Sequence, residues 1–202
     1  MKTRCLSLVT ALLAAFACPF QSGFAQQAAP RVIHRLPVEA YEPLAITEVK
    51  AGGQSVTPDQ VFTANDDWLK TLTVSVKNNS DKVIVYAAIN LQFPRHGSSN
   101  DRTAIFEMFC GSWILQTRRP TSKDISVGIP PGKTVEIHLS PQQFADLSEL
   151  LRTTGYHSPI DKVAFSIGPV IFADDMMWYG GAKLRRDSSD PTLWINASPK
   201  AQ

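Results

Sequence analysis

The stretch "KTLTVSVKNNSDKVIVYAAINLQF", Lys70 to Phe93, repeats its apolar residues with a period of two. Leu72, Val74 and Val76 alternate with Thr71, Thr73, Ser75 and Lys77, and Val83, Val85, Ala87, Ile89, Leu91 and Phe93 follow on one face of a second run. That alternation places every second side chain on the same side of a pleated strand, so both runs read as strands. "NNSD" between them suits a turn, because Asn, Ser and Asp side chains bond nearby backbone and tolerate left-handed geometry. The pattern predicts a hairpin with one buried face. Ile84, Tyr86 and Ala88 on the opposite face predict partial cover on that side as well.

Working outward, "LAITEVKAGG" reads as an earlier strand ending at Gly52-Gly53. Residues 26–43 are rich in Ala, Pro and Gln and read as an extended, partly disordered lead-in containing a solvated His34. Downstream, Pro94 to Arg102 is a polar loop, and Trp113 and Leu115 share a face if 112–116 is a strand. "IPPGKTVEIHLS" is a Pro-Gly turn feeding a strand with Val135, Ile137 and Leu139 inward. Ser140, Pro141 and Gln143 form the start of a helix over about 141–154, with Phe144, Leu147, Leu150 and Leu151 as its apolar stripe and Gly155 as its stop. In "KVAFSIGPVIF" the Gly168-Pro169 pair must disturb regular pairing, since proline has no N–H for the ladder. Short strands, frequent turns and one short helix predict an antiparallel immunoglobulin-like β-sandwich, occupying residues 44–196 with a tail over 197–202.

Ahead of the lead-in, Lys2 and Arg4 precede the apolar run Leu6–Ala17 and the small residues Gly23 and Ala25. This is the layout of an export signal, residues 1–25, cleaved after Ala25. The run is well short of the roughly 20 residues that span a bilayer, so no transmembrane segment is expected after processing. The competing event is lipidation at Cys18, within "AFAC", although Ala15 stands where such signals usually carry Leu. The expected location is therefore secreted or periplasmic, with a lipid anchor at Cys18 as the alternative.

Removal of 25 residues from 202 leaves 177, carrying 18 basic residues (20 minus Lys2 and Arg4) against 18 acidic ones. A neutral chain gives no electrostatic case for nucleic acid. A chain of that size buries about 70% of its unfolded surface and needs no staples. Cys110 is the one cysteine left, and burial is its expected fate.

"VIFADDMMWYGGAKLRRD", Val170 to Asp187, gathers the residues that most invite a functional reading. Asp174-Asp175 has turn chemistry, Met177 to Tyr179 begins a return strand, and Gly180-Gly181 reads as a bulge within it. Calcium needs six to eight oxygen ligands around a glycine turn, which these adjacent acids, even with Asp187, Asp190 or Asp66-Asp67, do not supply in sequence. Met176 and Met177 with a distant histidine lack fixed spacing for copper. No cofactor or metal is expected. Trp178 and Tyr179 are candidate sugar-binding rings, but neighbouring strand residues face opposite ways.

Together with "LTVSVKNNSDKVIVYAAINLQF", the segment "FADDMMWYGG...LRRDSSDPTLW" resembles an uncharacterised family of secreted bacterial single-domain β-sandwich proteins. The likeness runs from about Ile46 to Trp194 and rests on the "NxSDK" turn, the closing hairpin with its Trp and the "RRDxxxPxxW" tail. It implies an export signal and an all-β domain. It implies no activity and carries over no functional residue. The chain departs from the family at Asp174-Asp175, where an Asp-Gly turn is usual.

Catalytic patterns are weak. "FCGSW" lacks the second cysteine that acts as nucleophile in papain-type sequences. Cys110 with His96, His138 or His157 is the remaining thiol reading, and Glu107 with Asp174 and Asp175 the remaining carboxylate one. Asn78 and Asn196 head glycosylation-type triplets. The expected function is an exported, non-catalytic binding or structural module whose partner is an unknown protein or polysaccharide, with Trp178, Tyr179, Asp174 and Asp175 as candidate binding residues. A small secreted hydrolase and a carbohydrate-binding module are the alternatives.

Overall fold

The computed structural model describes residues 28–94, 103–156 and 159–197. The expected export signal with Cys18, most of the 94–102 loop with His96, His157 and the tail beyond Ala197 lie outside the described residues. The protein is mainly β. Its strands are β1 (Ala29–Arg35), β2 (Leu44–Ala51), β3 (Gln54–Ser55), β4 (Val61–Ala64), β5 (Thr73–Asn78), β6 (Ile84–Phe93), β7 (Ala104–Gly111), β8 (Thr134–His138), β9 (Lys162–Phe172), β10 (Met176–Tyr179), β11 (Ala182–Arg186) and β12 (Trp194–Asn196). The helices are α1 (Ser122–Ser126) and α2 (Pro141–Thr153), and short 3-10 turns cover Trp68–Thr71 and Trp113–Gln116.

Strands β5 and β6 do not form the expected hairpin. β5 lies between β2 and β8 in a four-stranded sheet, whereas β6 lies between β7 and β9 in an eight-stranded one. The connection is therefore an arch from one sheet to the other. The sequence supplies the reason: residues 79–83 contain no glycine for the positive-φ pair that tight hairpin turns favour. Ile84 to Ile89 are also buried without interruption, as suits a strand covered on both faces. Asn78 holds the arch in place. Its Nδ2 donates to the carbonyls of Lys82 (2.8 Å) and Ile129 (2.9 Å), and its Oδ1 accepts from the amide and hydroxyl of Ser80. The glycosylation-type triplet at Asn78 is accordingly architectural.

β9 is the spine of the larger sheet. One edge carries β6 over most of its length. The other edge is shared, with β1 parallel to Lys162–Phe165 and β10 antiparallel to Val170–Ile171. Gly168-Pro169 falls between these two partners, where the β6 register also shifts, which meets the expected disturbance. The sheet is therefore mixed rather than wholly antiparallel. Residues 29–35, expected in an extended lead-in, are instead a strand within it. Arg31, 1% exposed, fixes that strand by donating to Asp66 Oδ1 (2.6 Å) and to the Ile160 carbonyl, which Trp68 Nε1 also reaches. His34, expected in solvent, pairs with Asp59 at 2.8 Å and remains partly exposed.

The main core draws on both sheets: Leu44, Val49, Val74, Val76 and Ile137 from one, and Ile33, Ile89, Leu91, Val163 and Phe165 from the other. Each fully buried side chain of this kind contributes about 1.5–3 kcal/mol. A smaller cluster of Val85, Tyr86, Ala88, Leu115, Ile171 and Met177 lies apart from it. The register shift between Ile84 and Tyr86 turns Val85 into this second cluster and Ile84 into the first, correcting the expected sides of both.

α2 begins as its sequence predicts, with reciprocal Ser140–Gln143 capping and Pro141 in the first turn. A second helix, α1, accompanies it and corrects the expectation of one. Its start is a Thr121–Asp124 capping box. Residues 113–116 form a 3-10 turn rather than a strand, burying Leu115 and leaving Trp113 exposed.

Candidate functional site

The Val170–Asp187 segment closes the larger sheet as a run of neighbouring strands. Ala173 to Asp175 turns the chain from β9 into β10, with Asp175 at φ 66°. Gly180 and Gly181 have φ 55° and 77° and form the turn between β10 and β11. They are not a bulge inside one strand, because two successive positive-φ glycines match the twist of a two-residue hairpin.

None of the four candidate residues meets another in a common site. Trp178 is 1% exposed and its Nε1 donates to the Ala40 carbonyl at 2.9 Å. Tyr179 is exposed on the other side of the strand, which leaves no two-ring platform for a sugar. Asp174 pairs with Lys82 at 2.5 Å in solvent. Asp175 accepts from Arg186 Nε at 2.7 Å and faces Arg119 at 3.4 Å. Glu107 accepts from the Tyr86 hydroxyl and Gln116 Nε2, so the three acids considered for hydrolysis are held by different partners.

The tail motif has a structural explanation. The Arg186 side chain is fully buried, donates to the carbonyls of Leu115, Gln116 and Pro191, and stacks on Trp194 at 4.0 Å from the ring centre. Trp194 Nε1 donates to the Gln116 carbonyl.

Cys110 and His138 do line one groove, of about 730 Å³, between β7 and β8. No hydrogen bond joins them; Cys110, expected to be buried, is only half-buried on the groove wall, and the burial it has raises its thiol to about 11. At pH 8 only about a thousandth of it is thiolate, the form that reacts. Alkylation of the folded chain by iodoacetamide at pH 8 is expected to run at least about 100-fold slower than that of free cysteine. Parity of the two rates would return Cys110 to the list of nucleophiles. Among the described residues no group of three or more His, Cys, Asp or Glu side chains is placed to hold a metal.

A larger concavity was not foreseen. It is an open groove of about 840 Å³ between the C-terminal end of β1, the following segment to Glu42, the length of β2, and Val56–Pro58. Val38 and Tyr41, 71% and 78% exposed, stand on it. Arg35 and Glu42 form a largely buried ion pair within it, one guanidinium nitrogen reaching both carboxylate oxygens at 2.7 and 2.9 Å. Arg35 also lies over the Phe165 ring. Its other nitrogen, Nη1, is buried with no hydrogen-bond partner in the protein.

One edge of β2 is covered by β5, but on the other β3 reaches only Lys50 and Ala51. Among the described residues no strand pairs Leu44–Glu48 on that side. The sequence carries one local hint of this groove: "EAYEPL", residues 39–44, sets an aromatic between two acids just before a proline. Tyr41 has φ 57°, rare for a bulky side chain.

No family model matches the chain, and neither a curated protein nor a solved structure shows significant similarity to it.

Proposed function

We propose that the protein is an exported, non-catalytic binding module, its two sheets stacked as an immunoglobulin-like sandwich, that engages a protein partner in the groove beside β2. The observation that carries this reading is the outer edge of Leu44–Glu48, which no strand pairs among the described residues and whose residues line the groove of about 840 Å³. An unpaired edge with exposed apolar neighbours is a liability in a chain with no use for it. The charged start at Lys2 and Arg4 and the apolar run over residues 6–17 support export. Asp174, Asp175 and Glu107 are each engaged by a different partner, Lys82, Arg186 and Tyr86.

Amide hydrogen exchange on the chain from Gln26 onward tests it, with and without a cell-envelope extract. Slowed exchange at 44–48, abolished when the extract is first treated with protease, is the expected result. Protection that survives proteolysis, protection confined to other strands, or turnover of a hydrolase substrate that Cys110→Ala removes would overturn the reading.

Tyr41 provides a sharper variant. A positive φ costs a non-glycine residue about 1–2 kcal/mol, and glycine returns about 0.5–1 kcal/mol of that in backbone entropy. Tyr41→Gly is expected to leave the melting temperature unchanged or a few degrees higher while weakening protection at 44–48. A clear fall in melting temperature would make Tyr41 a structural residue instead.

A further inference from the structure

Resting on that reading, we infer that the outer edge of β2 takes an extended, basic peptide segment as an added strand. The backbone on that side already lies in strand geometry, so a peptide joining it satisfies donors and acceptors of both chains without rearranging the sheet. Val49 shows the same kind of pairing in miniature, its carbonyl accepting from the Val56 amide at 2.8 Å. Farther along, no strand among the described residues pairs Leu44 to Glu48 on that side.

The apolar side chains of every second peptide residue have Val38, Tyr41 and Val56 to cover.

Charge selects the partner. Three carboxylates, Glu39, Glu42 and Glu48, line the groove against one guanidinium, Arg35. Glu42 is taken by Arg35, and Glu48 accepts from Ser55 at 2.5 Å and shares Lys50 at 3.3 Å. Ser55 and Lys50 hold the Glu48 carboxyl below its ordinary range, so it stays ionised in the groove. Counting Lys50 beside Glu48, three negative charges face two positive ones, an excess that favours lysine or arginine on the incoming segment over an acidic one. The register shift between Ile46 and Glu48 deforms the edge, which disfavours indiscriminate pairing with any flat strand.

Three synthetic decapeptides test this on the chain from Gln26 onward: alternating Val and Lys, alternating Val and Glu, and the Val-Lys peptide N-methylated at alternate backbone nitrogens. At low salt the Val-Lys peptide is expected to bind at least about tenfold tighter than the Val-Glu peptide, and to weaken as salt rises. N-methylation on the pairing edge removes several backbone hydrogen bonds and is expected to cost at least about tenfold. Binding should slow amide exchange at 44–48. The double reversal Glu39→Lys with Glu48→Lys, both at the surface of the groove, is expected to invert the preference between the Lys and Glu peptides.

Equal binding of the methylated peptide would overturn strand addition, and equal binding of the Glu peptide would overturn the charge rule. If no peptide binds while a protease-sensitive envelope component still protects 44–48, this inference fails and the proposed function stands. If neither protects those residues, both fail.

Discussion

Asn78→Ala is expected to destabilise the fold by about 3 kcal/mol, which for a chain of this size is a fall of roughly 6–12 °C in melting temperature. Asn78 is fully buried and makes four hydrogen bonds across the arch between the two sheets. Alanine removes both halves of the amide. The carbonyls of Lys82 and Ile129 lose their side-chain donor, and the Ser80 amide loses its acceptor. A buried group left without its partner costs about 1–3 kcal/mol, and partial relaxation of Ser80 toward water lowers the sum. Asn78→Asp is expected to be no milder, since it keeps the acceptor, loses the donor and buries a charge. The exposed neighbour Asn79 provides the control, and Asn79→Ala should lie within about 0.5 kcal/mol of wild type. Urea unfolding of the three variants decides the matter, provided the slope with denaturant is unchanged. An Asn78→Ala variant as stable as Asn79→Ala would mean that something else fixes the crossing.

The same residue shows what a sequence does and does not disclose. The period of two over Leu72–Phe93 reports that strands exist and which side chains alternate, since that follows from the pleat. It does not report the partner strand. A hairpin and an arch use the same alternation, and the difference lies in a contact between Asn78 and Ile129, far along the chain. α2 was readable because its signals, Ser140, Pro141 and Gln143, act within one turn of backbone. β1 was not, because its burial depends on Arg31 finding Asp66 and the Ile160 carbonyl. Composition alone makes an Ala-Pro-Arg segment look solvated. The candidate groove was hidden for a related reason. Its main feature is an edge that no strand covers, and uncovered edges leave no mark on hydrophobic periodicity. Conversely, Asp174, Asp175, Trp178 and Tyr179 drew notice as a cluster in sequence, yet a two-sided strand and a turn send them to different surroundings.

Asp175→Ala is expected to cost about 3–5 kcal/mol. The Arg186 guanidinium has lost its water entirely, and Asp175 is the one carboxylate it touches among the described residues. The carbonyls of Leu115, Gln116 and Pro191 supply dipoles but no countercharge. Removing one partner of a buried pair leaves the other charge uncompensated, which is why such truncations cost several kcal/mol even where the intact pair adds little. Arg119, 3.4 Å from the same carboxylate, would then add repulsion. Asp175→Asn separates charge from geometry, because asparagine tolerates the positive φ and retains an oxygen acceptor. Its cost should lie between wild type and alanine. In a double-mutant cycle, Asp175→Asn with Arg186→Met should be less destabilising than the sum of the single changes by about 1.5–3 kcal/mol, since no lone charge remains buried. Asp174→Ala, whose pair with Lys82 is exposed, should change stability by less than about 1 kcal/mol. A carboxylate kept to act on a substrate or hold a cation is replaced by alanine with little loss of folding. A carboxylate that neutralises a buried guanidinium is not, and additivity in the cycle would assign Asp175 to the first kind.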